Sequence, residues 1–389
     1  MKIEKTNPKH WLYLIIFTAN ILAGILCRWL AGAQEKHLVL YGHKLNGNLL
    51  ALHRYLGKRK VDKYNVVYLV IDPVYGRQLK NAGVNVLSGL RLLDVVSVCR
   101  GVCIVSDHGP HALYFLQKLT SVKFVDVWHG IPFKGFDHSD FHWLHGYAAT
   151  FVTSPSMKLM YENRYGFAPH QVKVTGYART DGLINSGYDN HEIFCDLGIR
   201  KAYKKIVLFA PTWSHGDRTH SNIPFGMAPG VFFSRINEMA EQANYLIMFR
   251  AHLNSEDSNP QTLPNIRFVP LSVYADTEAL LYISDVLVSD WSSIVFDFLV
   301  LRRPTIFIDT KAPFPKGFSY GPEYRFGPIV SDLQQLTETI VRSCEQPEEI
   351  LRDYGGHMQR VATEVYNRYA DGRAAERYVS EIDRLLADH

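Results

Sequence analysis

Four short polar clusters stand where apolar runs of this chain end: Asp107-His108-Gly109, Trp128-His129-Gly130, Arg250-Ala251-His252 and Asp290-Trp291-Ser292-Ser293. In open α/β sheets, ligands bind at the carboxyl ends of the strands, so polar groups there are candidates for chemistry. His129 is the sharpest of them. Imidazole is the side chain best suited to take a proton near neutral pH. Gly130 would let a ligand approach the backbone, and Pro132 would stiffen the turn. A histidine that merely closes a strand is the plain alternative; beside three similar clusters, a general base is favoured. Arg250 and His252 are two residues apart and share one face of an extended chain. Such a pair suits a phosphate, whereas a surface salt bridge would explain Arg250 alone. Ser292 or Ser293 would cap a helix beginning near Ile294, and the free N–H groups of a helix start attract anions. Asp297 lies one helical turn past Ser293 and would accept hydrogen bonds from a polyol. In "FAPTWS", Thr212 and Trp213 close another strand; the indole would stack on a base or pack in the core. In "GYARTD", Arg179 reads as a surface turn or as an interdomain grip on phosphate.

The absences matter as much. There is no G-x-x-x-x-G-K-[ST] loop, no G-x-G-x-x-G, no H-E-x-x-H and no D-x-D pair. No metal site is announced, so positive charge and helix starts would have to hold a diphosphate. Composition is that of a folded protein: 389 residues, 47% hydrophobic and 21% charged, enough for two cores. A net charge of +4 is too weak to argue for nucleic acid. The five cysteines are Cys27, Cys99, Cys103, Cys195 and Cys344, with no C-x-x-C pair, which fits a reducing compartment.

The elements that must position these residues alternate. "HLVLYG", "NVVYLVID", "GVCIVSDHG", "VKFVDVWHG" and "AATFVTSP" read as strands with helical stretches between most of them. A polar, Gly-rich run over 173–190 follows, and the alternation restarts with "KKIVLFAPTW", "NYLIMFRAHLN", "NIRFVP", "VLVSDWSS" and "RPTIFID". Helical sequence fills 331–387, and Asp276 is set to cap the helix in "YADTEALLYISD". This pattern predicts parallel sheets covered on both faces. The expected organisation is a membrane-associated helix over 1–33, an acceptor domain over 34–190 and a donor domain over 191–389. The two α/β domains are expected to be doubly wound and to face a central cleft. The uncharged run Trp11–Cys27, interrupted by Arg28, fits a signal peptide, a transmembrane helix or an interfacial helix; an anchor is preferred to a core helix.

Taken in order, these motifs resemble the CDP-glycerol glycerophosphotransferases of wall teichoic acid synthesis. "WHGIPFKGF" is similar to that family's Trp-His-Gly-Thr-Pro run, "GYARTD" to its Gly-Tyr-Pro-Arg-Asn-Asp and "LFAPTW" to its Tyr-Ala-Pro-Thr-Trp. "FRAHLN" is similar to its Arg-hydrophobe-His-Pro, and "FGPIVSDLQQL" to its Pro-Gly-Pro block. The most specific match is "ISDVLVSDWSSIVFDF", and the resemblance runs from about Asp126 to Leu336. Ile131, Leu253 and Phe326 depart from the family pattern, which bears on the exact donor more than on the reaction class.

The resemblance implies a GT-B arrangement of two Rossmann-like domains, with a CDP-activated donor on the second. It carries the two family histidines to His129 and His252, the donor-phosphate hydroxyls to Ser292 and Ser293, and the polyol-contacting acid to Asp297. The full expected site is His129 and His252 for catalysis, with Arg179, Thr212, Arg250, Asp290, Ser292, Ser293 and Asp297 for the donor. An acceptor hydroxyl would attack the β-phosphorus of a CDP-polyol and release CMP. No cofactor is expected to be required, with Mg²⁺ as an optional aid. The expected partners are the CDP-polyol, a lipid-linked or polysaccharide acceptor and the cytoplasmic face of the cell membrane, and no nucleic acid. The alternatives are a GT-B glycosyltransferase using a CMP- or UDP-sugar and a non-catalytic nucleotide-binding scaffold.

Overall fold

The computed structural model describes residues 7–32, 36–59, 63–212, 223–250 and 263–387. They form two compact units. The first comprises the chain up to His129, Asp137–Asp181 and the chain from Tyr369; the second comprises Gly130–Phe136 and Gly182–Arg368.

In the first unit, strands β1 (His37–Tyr41), β2 (Asn65–Val70), β3 (Val86–Ser88), β4 (Cys103–Ser106), β5 (Lys123–Asp126), β6 (Ala149–Val152) and β7 (Val172–Val174) form one parallel sheet. Its order is β3-β2-β1-β4-β5-β6-β7. β1 lies beside both β2 and β4, with Leu38 opposite Val66 and Cys103. Every residue of β1, β4 and β6 is buried, which is why these strands read as continuous apolar runs. Helices α1 (Pro8–Ala31), α2 (Gly47–Arg59), α3 (Pro73–Asn81), α4 (Leu92–Cys99), α5 (Tyr114–Leu119) and α6 (Pro155–Asn163) connect or cover them. Asp72 and Ser154 cap α3 and α6 by accepting backbone N–H bonds, each before a proline pre-set for the first turn.

After the short α7 (Asp181–Ile184) and α8 (Asn190–Asp196), the second unit builds a parallel sheet ordered β10-β9-β8-β11-β12-β13. Its strands are β8 (Lys205–Phe209), β9 (Tyr245–Phe249), β10 (Ile266–Phe268), β11 (Val286–Ser289), β12 (Thr305–Ile308) and β13 (Ile329–Val330). Helices α9 (Pro229–Ala243), α10 (Thr277–Ile283), α11 (Ile294–Leu299), α12 (Leu333–Glu345) and α13 (Pro347–Val365) accompany it. Asp276 caps α10 through Ala279 N, as its position in the sequence predicts.

The expected domain limits need three corrections. The last helix, α14 (Ala374–Ala387), belongs to the first unit, because Ala375, Tyr378 and Ile382 bury into that unit's core beside Leu38 and Phe151. Asp181 fixes its start, its carboxylate accepting from Ala374 N and Ala375 N at 3.0 and 2.8 Å. The segment Gly130–Phe136 belongs to the second unit: Gly135 N donates to Gly317 O at 2.7 Å, and a Cβ at Gly135 would stand 2.5 Å from Lys316 O. Finally, α1 is not a separate anchor domain. Phe17, Ile21, Gly24, Ile25 and Arg28 are buried against the first unit. Gly24 lets the helix lie close to α4, since a Cβ there would meet Cys99 Sγ at 2.6 Å.

Candidate active site

His129 follows β5, and three groups fix the turn that carries it. Asp126, the last residue of β5, is buried; its carboxylate accepts from Thr150 Oγ1 at 2.6 Å and from Trp128 N at 3.2 Å. Burial pushes that carboxyl up to about 7, against the opposing pull of the two hydrogen bonds. Trp128 has φ of +39°, a left-handed conformation that a bulky residue adopts only when its surroundings hold it there. Asn48, in the first turn of α2, is the second support. Its Nδ2 donates to the carbonyls of Val127 and Trp128 at 2.7 and 2.9 Å, and its Oδ1 accepts from Arg179 N at 3.1 Å. Arg179 is the third, donating from Nη1 to His129 O at 2.9 Å. The GYARTD arginine therefore sits buried in the first unit, two residues before its boundary at Asp181, and steadies the loop of the histidine.

The imidazole itself has a defined tautomer. His129 Nδ1 lies 3.1 Å from Asp107 O. A carbonyl can only accept, so Nδ1 carries the hydrogen and Nε2 keeps its lone pair. The residue is exposed to solvent, although many protein atoms lie around its ring. Crowding, and then the neighbouring His108, push its pKa below the ordinary value, toward about 4. The ring is thus neutral at neutral pH and poised to accept a proton.

Sequence reasoning marked Asp107-His108-Gly109 as a strand-end cluster and gave it no role. The structure stacks the His108 ring on His129 at 4.9 Å with only 10° between planes, and His108 Nδ1 donates to Asp107 Oδ1 at 2.6 Å. Beyond it, the His43 ring lies 4.2 Å from His108. Asn48 and His43 follow β1, far in sequence from His129, and no local pattern pointed to them.

In the second unit, Thr212, Asp290, Ser292 and Ser293 come together at the ends of β8 and β11. Asp290 Oδ1 accepts from Thr212 N and Trp291 N, both at 2.5 Å, and Ser289 Oγ donates to Ala210 O at 2.6 Å. Asp290 thus laces the two strand ends together, and burial raises its carboxyl pKa. Ser293 occupies the N-cap position of α11 with helical backbone angles and makes no side-chain capping bond. The expected cap is therefore absent, and the hydroxyl is not spent on its own helix. Asp297 is buried, 3% exposed, in the first turn of α11.

Arg250 also departs from expectation. Its Nη1 donates to the carbonyls of Val269 and Tyr274 at 3.0 and 2.8 Å, and its Nη2 donates to Thr277 Oγ1 at 2.7 Å. The guanidinium fastens the loop before α10, and burial lowers its pKa to about 10. His252, its expected partner, and Trp213 lie outside the described residues. A cation that the sequence did not announce stands at Trp291: the Arg325 guanidinium lies 4.7 Å over the ring and donates to Ile308 O at 2.7 Å. Phe133, from the segment after His129, meets the same indole edge-on at 5.6 Å.

The first unit therefore holds an imidazole with a free Nε2 lone pair, and the second a pair of serine hydroxyls that make no hydrogen bond among the described residues. The family model described as CDP-Glycerol:Poly(glycerophosphate) glycerophosphotransferase matches residues 31–384. The chain belongs to this family. Among other glycerophosphotransferase-family proteins, it is 28% identical over 376 residues to the teichoic acid poly(glycerol phosphate) polymerase of Bacillus spizizenii, covering 88% of this chain and 91% of that one. It is 27% identical over 302 residues to the teichoic acid ribitol-phosphate polymerase TarL of Staphylococcus aureus, covering 72% of this chain. The chain spans about half the length of the S. aureus ribitol-phosphate polymerases it matches, 50% of TarL and 56% of TarK. The wall teichoic acid polymerase TagF, in a crystal soaked with CDPG, superposes with a TM-score of 0.74 at 16% identity, covering 98% of this chain and 99% of that one. That likeness shows the fold, and the GT-B class expected of this family member holds.

Proposed function

We propose that this chain transfers a polyol phosphate, most directly glycerol phosphate, from a CDP-activated donor to a hydroxyl of a lipid-linked or polysaccharide acceptor of the cell envelope. The observation that carries the reading is His129 Nε2, a lone pair fixed by the Asp107 carbonyl at a strand end of a glycerophosphotransferase-family chain. In the proposed step, the acceptor oxygen bonds to the β-phosphorus and its proton passes to Nε2. The bond from that phosphorus to the bridging oxygen breaks, and CMP leaves with the electron pair. Thr212, Ser292 and Ser293 belong to donor binding, with Asp290 holding their strand ends in place. His252 is assigned to the pyrophosphate on its motif. Positive charge and hydrogen-bond donors stabilise the transferring phosphate, and Mg²⁺ is at most a secondary aid.

Work at the cytoplasmic face of the membrane is part of the proposal, since a CDP donor is made in the cytoplasm. α1 supports it: Trp11, Leu12, Ile15, Leu22, Leu26, Trp29 and Leu30 are exposed on a helix whose opposite face is buried. Its length and composition suffice to cross a bilayer. Arg28 argues for the interface instead, because its Nη1 donates to Cys99 O and Gly101 O at 2.9 and 3.0 Å. A spanning helix would have to break both bonds; a helix lying in the interface keeps them.

The test is purified protein with CDP-glycerol, CDP-ribitol, CMP-sugars and UDP-sugars, scored for nucleotide release. CMP release from a CDP-polyol is expected. His129→Gln is expected to lower kcat by about 10²–10⁴-fold while leaving donor affinity and melting temperature near wild type. Near-normal turnover in the folded variant would remove the base.

A further inference from the structure

The strand order of the first unit reverses between β1 and β4: the chain leaves β1 toward β2 on one side and leaves β4 toward β5 on the other. Such a switch point opens a crevice at the carboxyl ends of the two strands, and ligands of open α/β sheets bind there. None of the donor residues lies at this place. What lies there is a set of imidazoles. His43 follows β1; His108 and His111 follow β4. The His43 ring is 4.2 Å from His108 and 5.6 Å from His111, and Tyr41 Oη is 3.2 Å from His111 Nδ1. Gly42 makes the arrangement feasible, since a Cβ there would stand 2.4 Å from Asp107 Oδ1.

Beside His43 a recess of about 410 Å³ opens, lined by His10, Tyr41, His43, Lys44, Asp72 and Tyr75 among others. Its charged residues are Lys44 and Asp72. Asp72 is committed to capping α3, accepting from Val74 N at 2.8 Å and Tyr75 N at 3.3 Å. Tyr75 Oη accepts from Leu45 N at 2.9 Å. Lys44 makes no ion pair among the described residues. With the Asp72 carboxylate turned to the start of α3, Lys44 supplies the charge for an anion and His43, kept neutral by burial and by the neighbouring His108, supplies an N–H donor.

We infer that this recess binds the phosphodiester of the acceptor's terminal polyol phosphate unit, through Lys44 and His43, and so presents the adjoining hydroxyl to His129. The inference rests on the proposed transfer for the identity of the acceptor. Two ring-to-ring steps, 4.2 Å from His43 to His108 and 4.9 Å from His108 to His129, link the recess to the base. That span is of the order of one extended polyol phosphate. A neutral acceptor gains nothing from Lys44, so the recess selects a chain end that already carries phosphate. His10 belongs to α1, so the recess also lies where an acceptor held at a membrane surface would arrive.

The experiment titrates the full-length protein with bis(glycerol) phosphate, uncharged diglycerol and inorganic phosphate, following histidine imidazole resonances by NMR. The phosphodiester is expected to shift His43 and His108 and to bind at least tenfold more tightly than either other probe. Lys44→Ala and the milder Lys44→Gln are expected to weaken it at least tenfold, with CDP-glycerol affinity unchanged in calorimetry and melting temperature retained. Equal binding of inorganic phosphate would reduce the recess to a plain anion site and overturn the acceptor assignment. So would undiminished phosphodiester binding in both folded Lys44 variants. Phosphodiester binding without CMP release from any CDP-polyol would instead strike the proposed reaction and leave the anion site standing.

Discussion

At the scale of single residues, the proposed base, His129, is defined by what its neighbours deny it. The Asp107 carbonyl takes the hydrogen of Nδ1, and crowding together with His108 disfavours a second proton. The group works as the free imidazole, which acid removes. Its pKa is pushed below the ordinary 6.5, so the deprotonated form persists as pH falls through 6.5 and is lost only further down. The profile of kcat/KM, which reports the free enzyme, is therefore expected to stay level through pH 6.5 and to fall at lower pH. In His108→Gln the acid limb is expected to move upward, because one of the three depressing causes, burial, His108 and Arg179, is gone. A wild-type limb at or above 6.5 would contradict the geometry. His129 stood out in the sequence because its cluster is one of four polar clusters that end apolar runs; alone, a histidine closing a strand would read as structural. Asn48 was not legible: an asparagine in an ordinary helical stretch gains its meaning only when the fold brings β1 beside β4 and β5. Arg250 was legible as a strand-end cation and Arg179 as a turn or interdomain cation; their bonds to carbonyls were not, since a guanidinium that binds carbonyls and one that binds phosphate look the same in one dimension.

At the scale of elements, the strands declared themselves because burial on both faces demands continuous apolar runs, and the helices between them were bounded by recognisable caps. The elements that escaped were β3, β7 and β13, of two or three residues each, too short to show a period. α1 was legible as an apolar helix and not as a docked one. Its small Gly24 and its Arg28, which reads as an interruption, are the two residues that fit it to α4. Deleting the segment would therefore strip Phe17, Ile21 and Ile25 from the first unit's interior and confuse membrane release with unfolding. Substitution separates the two. Glutamate at Leu22, Leu26 and Leu30 together is expected to abolish sedimentation with anionic vesicles while changing the melting temperature little, since all three are exposed. Arg28→Met is expected to do the reverse: it leaves the Cys99 and Gly101 carbonyls without their donor, at a cost of about 1–3 kcal/mol, and retains vesicle binding. Vesicle binding by the triple variant equal to wild type would dismiss the interfacial role.

At the scale of the whole molecule, the chain divides the work between two units whose cores are separate. It passes from one to the other directly after the base, at Gly130, and returns near Tyr369 to finish the first unit with α14. That return was hidden in the sequence, because a C-terminal amphipathic helix carries no mark of which core it completes. The division predicts separable kinetics. Ser292 and Ser293 lie in the second unit with hydroxyls that do not cap α11, so replacing both by alanine is expected to weaken CDP-glycerol binding by tenfold or more. The same change is expected to alter kcat at saturating donor only slightly. His129→Gln acts in the opposite sense, on kcat and not on donor affinity. Residues with no shared partners act independently to within a few tenths of a kcal/mol, so the triple variant is expected to show the serine pair's donor affinity together with the histidine variant's kcat. Calorimetry for donor affinity and single-turnover CMP release for the chemical step measure the two quantities on the same preparations. Donor affinity unaffected by loss of both hydroxyls would remove them from the phosphate site. A triple variant whose donor affinity is far below that of the serine pair would show that His129 also holds the donor, and the base would then have to be sought among its imidazole neighbours.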